Sequence, residues 1–277
     1  MTEAVPVAEA VEVPLTRRER QRQATYDEIV EVSRRLMGQG DGLSLRAVAA
    51  EMGMTAPALY RYVDNYQELV LLIGRSIYAD VLATMTKWRD RFPDDDPGAQ
   101  IIAAAYGFRD WALSHREEFS LLFANPAVSK EDGTEPDDGI REFAQFYGEI
   151  YQRLWDRYAF PVPGDDELDP DALSSLNAQR SAGALPCDFP DMPIGLNWIL
   201  IRAWNRLYGT VTLEVFQHVD SAVIESGALF RAMLEDNGRE LNFGDDWPRL
   251  RELLTEVARN PEPASADAQA EASQANL

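Results

Sequence analysis

Cysteine is almost absent: Cys187 is the only one among 277 residues, so no disulfide can form within the chain. His115 and His218 are the only histidines. One thiol and two imidazoles make a zinc site improbable, and they leave most nucleophilic or histidine-based catalysis without its reagents. No carboxylate pair, Cys/His pair or glycine-rich phosphate loop stands out, which argues against an enzyme. No apolar run approaches the roughly 20 residues that cross a bilayer. The opening MTEAVPVAEAVEVP lacks the basic start and apolar centre of a secretory signal. These absences lead us to expect a cytoplasmic protein with no cofactor, no metal and no membrane partner.

What the chain does have is 45% apolar and 10% aromatic residues, enough for a large core in one big domain or in a small domain joined to a larger one. Its most informative stretch is 43–69, LSLRAVAAEMGMTAPALYRYVDNYQEL. Ser44 can cap a helix whose inward residues are Leu45, Val48, Ala49 and Met52, and Gly53 suits a left-handed turn. Thr55 is placed to cap a second helix with Pro57 in its first turn and Leu59, Tyr62 and Val63 on its buried side. Ala49, four residues before Gly53, is small enough for two helices to cross closely. The pattern predicts a helix-turn-helix.

Around it the chain divides into segments. Residues 1–16, short of aromatics and rich in Ala, Val and Glu, predict a disordered tail. A first helix over about 18–38 and the helix-turn-helix complete a three-helix head over 17–75, and Asn65 caps a fourth helix that reaches about residue 91. Residues 76–258 predict a larger helical domain, with helices near 99–114, 115–124, 140–158, 196–219, 221–235 and 248–258. Within it, 125–139 reads as a polar loop. The proline-rich, acidic stretch 160–195, with a short helix possible around 172–180, is too long for an ordinary connection, so it is a functional flap, a partly disordered insert or both. Residues 259–277 predict a second disordered tail. The expected fold class is all-α.

A formal charge of −21 is unusual for a protein that meets DNA. Its distribution resolves the conflict: 17–75 holds nine arginines against eight acidic residues, 1–16 carries −3, and the remaining −19 belongs to residues 76 onward. Acidity is confined to the part that would stay away from phosphate. The cluster Arg17, Arg18, Arg20 and Arg22 is either a solvated helix start or an arm that touches phosphate or the minor groove.

Residues 44–63, SLRAVAAEMGMTAPALYRYV, resemble the DNA-binding head of the tetracycline-repressor (TetR) family, and 204–216, WNRLYGTVTLEVF, resembles the Trp-His-Gly type of C-terminal domain, with Tyr208 where that motif has histidine. The resemblance implies a homodimeric repressor that leaves a palindromic double-stranded DNA operator when a small-molecule effector binds its C-terminal domain. It places Arg46 at a position that can reach a guanine edge; the alternative is a plain phosphate contact. Thr55, Ala56, Pro57 and Ala58 would enter the major groove, and Tyr60, Arg61 and Tyr62 would contact phosphates, although Tyr62 could equally be buried. Tyr66 stands where the family usually has lysine. It can donate one hydrogen bond to phosphate but brings no charge.

For the effector, the aromatics Phe108, Trp111, Phe123, Phe143, Tyr147, Trp204 and Tyr208 are the expected wall of an apolar or aromatic ligand site, against the plainer reading that aromatics at helical spacing fill a core. The helix over 196–219 is apolar on two faces and is the expected dimer surface together with the one after it. An interaction protein that keeps a vestigial head is the alternative to a ligand-released repressor.

Overall fold

The computed structural model describes residues 16–39, 43–124, 138–181, 185 and 192–259. The two expected tails, apart from a few boundary residues, and nearly all of the expected polar loop 125–139 lie outside these. Every regular element among the described residues is helical, and the fold is all-α. The chain forms two compact units, Met1–Ile73 and Gly74–Leu277, and their boundary falls inside one continuous helix.

The first unit contains α1 (Arg17–Gln39), α2 (Leu45–Glu51), α3 (Ala56–Leu59) and the start of α4 (Tyr66–Arg89). Thr16 and Glu19 form a reciprocal cap at the start of α1: the Glu19 amide donates to Thr16 Oγ1, and the Thr16 amide to the Glu19 carboxylate. Ile29, Val32 and Leu36 of α1 meet Leu45, Val48 and Ala49 of α2 and Leu59 and Val63 beyond them in a small core, all buried. Asn65 caps α4 by accepting from the Glu68 amide at 2.9 Å, and Glu68 reaches back to the Asp64 amide.

In the second unit, α4 continues and is followed by α5 (Pro97–Ser114), α6 (Arg116–Phe123), α7 (Asp138–Tyr158), α8 (Pro170–Ser181), α9 (Ile194–Val215), α10 (Ser221–Ser226), α11 (Ala228–Leu241) and, after a 3₁₀ turn, α12 (Trp247–Arg259). α5 is the central element. Asp96 caps it, Pro97 takes its first position, and Ala99, Ala103, Ala104 and Ala105 are small enough for α7, α9 and α12 to pack around it. The Tyr106 hydroxyl donates to the Leu254 carbonyl at 2.6 Å, tying α5 to α12, and burial pushes its pKa up to about 12. α4 is long and apolar enough to cross a bilayer, yet its apolar residues form the one-sided buried stripe Leu69, Ile73, Ile77, Val81, Met85 and Trp88 of a core helix.

One expectation changes in this unit. The single helix predicted over 221–235 is interrupted at Gly227, whose φ of 62° ends α10, and α11 then runs on to Leu241. Within 160–195 the expected short helix is present as α8, whose Leu176 joins Leu168, Leu185 and Ile194 in a small buried cluster against Trp198 and Ile201 of α9. Residues 182–184 and 186–191 lie outside the described residues.

Candidate nucleic-acid interface and ligand cavity

The helix-turn-helix is built by local chemistry. Ser44 Oγ accepts from the Ala47 amide at 3.2 Å and starts α2. Gly53, at φ 65°, ends the helix: Met54 N donates to Ala49 O and Gly53 N to Ala50 O, which satisfies the last carbonyls. Thr55 occupies the cap position of α3 without a side-chain hydrogen bond, contrary to its expected capping role, so its exposed hydroxyl is available to other partners. α3 is shorter than predicted. Beyond Leu59 the chain continues through Val63 by mixed i→i+3 and i→i+4 bonds, such as Tyr62 N to Leu59 O at 2.9 Å.

The expected DNA-binding residues separate by exposure. Arg46, Pro57 and Arg61 are exposed, and neither arginine has an ion pair or hydrogen bond to a described residue. Tyr60 and Tyr66 are 47% and 42% exposed, unusual for such large side chains. Ala56 and Ala58 are half-buried on α3. Tyr62 is half-buried too: its ring stands edge-on to Tyr26 of α1 at 5.6 Å, and Arg22 donates to the Tyr26 hydroxyl at 3.1 Å. Sequence reasoning missed that coupling, whose trace is the i, i+4 spacing of Arg22 and Tyr26 on one helix face.

The second unit contains a partly open cavity of about 310 Å³. Of the seven expected ligand residues, Phe123, Phe143, Tyr147 and Trp204 line it. Phe108, Trp111 and Tyr208 do not. Phe108 is fully buried behind the wall among Phe119, Phe123, Phe143 and Trp204; Trp111 stacks on His115 at 5.5 Å; and Tyr208 stacks on Trp204 while its hydroxyl donates to the Phe123 carbonyl at 2.7 Å. Unforeseen wall residues include Tyr78 of α4, Ile102 of α5, Tyr151 of α7, Leu234 and Asn237 of α11, and Trp247 of α12. Among the described residues the wall carries no charged side chain. Asn237 of the wall accepts from Arg206 at 2.8 Å, and Glu240 takes both Arg202 and Arg206, so one carboxylate serves two arginines between α9 and α11. Tyr147 is buried, its hydroxyl has no partner, and burial pushes its pKa well above the usual phenol value. No described group of histidine, cysteine and carboxylate residues is arranged to hold a metal.

Residues 101–237 match the family described as tetracyclin repressor-like, C-terminal domain. The HTH-type transcriptional regulators Mb1846 of Mycobacterium bovis and Rv1816 of Mycobacterium tuberculosis are each 30% identical over 214 residues, covering 74% of this chain and 86% of theirs. This chain belongs to the TetR family. A crystal structure of the candidate regulatory protein SCO4313 is also similar, with a TM-score of 0.54 and 27% identity over 80% of this chain and 98% of that one. The protein is accordingly a DNA-binding transcriptional regulator, with DNA as its partner and regulators rather than enzymes as its relatives. The matched TetR C-terminal segment opens at Ile101 and closes at Asn237, both in the cavity wall. Tyr208, at the histidine position of the resembled motif, serves a structural bond from α9 to the end of α6.

Proposed function

We propose that this regulator is a homodimeric repressor, working in the cytoplasm, that leaves a palindromic operator when a small, uncharged, apolar or aromatic molecule enters the cavity of the second unit. The observation that carries the reading is the wall itself: a cavity of about 310 Å³ lined mainly by aromatic and aliphatic side chains and, among the described residues, by no charged one, a size and polarity suited to a small organic ligand. A charged effector would lose its hydration there with no counter-charge in return. The ligand favours release only so far as it binds the released conformation more tightly. α4 bears both Tyr66, a proposed phosphate contact, and Tyr78 of the cavity wall, and we assign it the coupling. The pairing surface is assigned to α9 and α11, which pack on each other and leave Leu213 and Leu229 exposed. In the head, Arg46 reads a base edge, Thr55 to Ala58 enter the major groove, and Tyr60, Arg61, Tyr62 and Tyr66 hold phosphates.

A gel shift on the DNA upstream of the protein's own coding region tests the assignment. The expected result is a dimer on a palindrome, with Arg46→Ala weakening it by about 1–3 kcal/mol at one base position in each half-site. Uniform weakening across all operator variants would make Arg46 a phosphate contact, and no binding to that DNA would remove this operator from the reading.

A further inference from the structure

Arg22 continues the face of α1 that packs on the helix-turn-helix. Arg22, Tyr26, Ile29, Ser33 and Leu36 follow one another at helical spacing down a single stripe, and its last three members are buried. At the other end the Tyr26 ring stands edge-on to Tyr62, just beyond α3, with ring centres 5.6 Å apart. The Arg22 guanidinium carbon lies over the same Tyr26 ring, also at 5.6 Å, and Nη2 donates to the Tyr26 hydroxyl at 3.1 Å. A phenol holds a guanidinium without neutralising it. Arg22 is exposed and has no ion pair to a described residue, so its charge and its remaining donors are left for an anionic oxygen.

We propose that Arg22 binds a backbone phosphate of the operator and that Tyr26 is its positioning residue, holding the guanidinium beside the segment that follows α3. This rests on the reading of α3 as the DNA-facing side of the first unit. Insertion into the minor groove fits poorly: arms that enter that groove are extended chain ahead of a helix, whereas Arg22 belongs to the second turn of α1, whose start is fixed by the Thr16–Glu19 cap. Bracing of α1 alone does not account for the pair either. A carboxylate at position 26 would brace the helix as well, but it would cancel the charge that a phosphate attracts.

The test takes the full-length protein and the duplex that it selects from a random-sequence library, titrated at several salt concentrations. Arg22→Gln should flatten the slope of log affinity against log salt by about 0.9 per half-site, whatever the bases beside it. Tyr26→Phe keeps the ring and its contact with Tyr62 but releases the guanidinium. It should weaken binding roughly two- to twelvefold, the cost of immobilising one long side chain on association, and leave the slope unchanged because the charge remains. In the Arg22→Gln background the same Tyr26→Phe should change nothing. An equal loss in both backgrounds overturns the positioning role, because Tyr26 would then act on the fold of α1. An unchanged slope in Arg22→Gln makes Arg22 a solvated side chain, and a loss that depends on A·T against G·C at the flanking positions makes it a minor-groove contact; either overturns the proposal. With Arg46→Ala still weakening binding, these outcomes remove Arg22 and leave the DNA-facing side of the unit in place. If no duplex is selected, that reading falls, and this inference with it.

Discussion

Glu214 of α9 is 1% exposed, and its carboxylate is held by Arg109 of α5, whose Nε donates to Oε2 at 2.6 Å while Nη2 donates to the Ile224 carbonyl at 2.6 Å. Glu214 Oε1 has no hydrogen-bond partner among the described residues. Burial raises the carboxyl pKa above its usual 4.5, and Arg109 lowers it by hydrogen bond and charge without cancelling the rise. The folded state thus holds this proton more tightly than the unfolded one, so stability falls as pH rises from 4.5 to the raised value. Arg109→Met removes both lowering interactions and extends that window upward. Keeping Glu214 neutral at pH 7 costs up to about 3.4 kcal/mol, at 1.36 kcal/mol for each pH unit above 4.5, and about 0.7 kcal/mol at pH 5. This lies within the range for breaking a buried ion pair from one side. For a unit of this size the melting temperature should drop by roughly 7–14 °C at pH 7 and only about 1–3 °C at pH 5. Differential scanning calorimetry of the parent, Arg109→Met and Arg109→Met/Glu214→Gln at both pH values decides it. The double variant should recover most of the loss and show no such pH dependence. A single variant that loses the same amount at both pH values would refute the reasoning, because the penalty would then come from packing against Phe230, over which the guanidinium lies at 5.3 Å.

Two further outcomes follow from single positions. Tyr66→Lys adds a charge at the exposed start of α4, and the slope of log affinity for operator against log salt should steepen by about 0.9 per half-site if the lysine reaches phosphate; an unchanged slope removes residue 66 from the interface. In Gly195→Ala the new Cβ would lie 2.1 Å from the Pro163 carbonyl oxygen, so the segment leading to α8 must move off α9; urea unfolding should register a loss of about 1–3 kcal/mol, and a stability equal to the parent's would show that this segment yields without cost.

Much of the fold was legible because its signals are local. Ser44, Gly53, Asn65 and Pro97 each act through the backbone within a few residues, and a period of 3.6 marks α4 and α7. Thr16 and Glu19 carried an equally local signal, the capping-box spacing, which places the start of α1. The break at Gly227 was harder to see, since an isolated glycine inside a helical pattern is usually tolerated. The cavity was legible only in part. Spacing tells which face of a helix is apolar, but α5 and α9 are covered on several sides, so Phe108 and Trp204 look alike in sequence although one packs behind the wall and the other lines the space. Trp247 and Leu234 enter the wall through tertiary packing of distant segments, which no local pattern encodes.

The disposition of arginine gives the acidic balance its physical sense. In the second unit Arg109, Arg153, Arg157, Arg202, Arg206 and Arg249 are each held by a carboxylate, from Glu214, Asp94, Asp246, Glu240 and Asp96, so their charge is spent inside the unit, bracing helices around the cavity. In the first unit Arg46 and Arg61 stand exposed and have no such described partner. A phosphate meeting either arginine displaces only water and counterions, whereas one meeting Arg249 must first break its two bonds to Asp96 at 2.6 and 2.9 Å. Net charge is therefore a poor guide to DNA binding here: the acidic excess of a chain at −21 lies on residues 76 onward, while exposed arginines without a described carboxylate partner remain in the first unit.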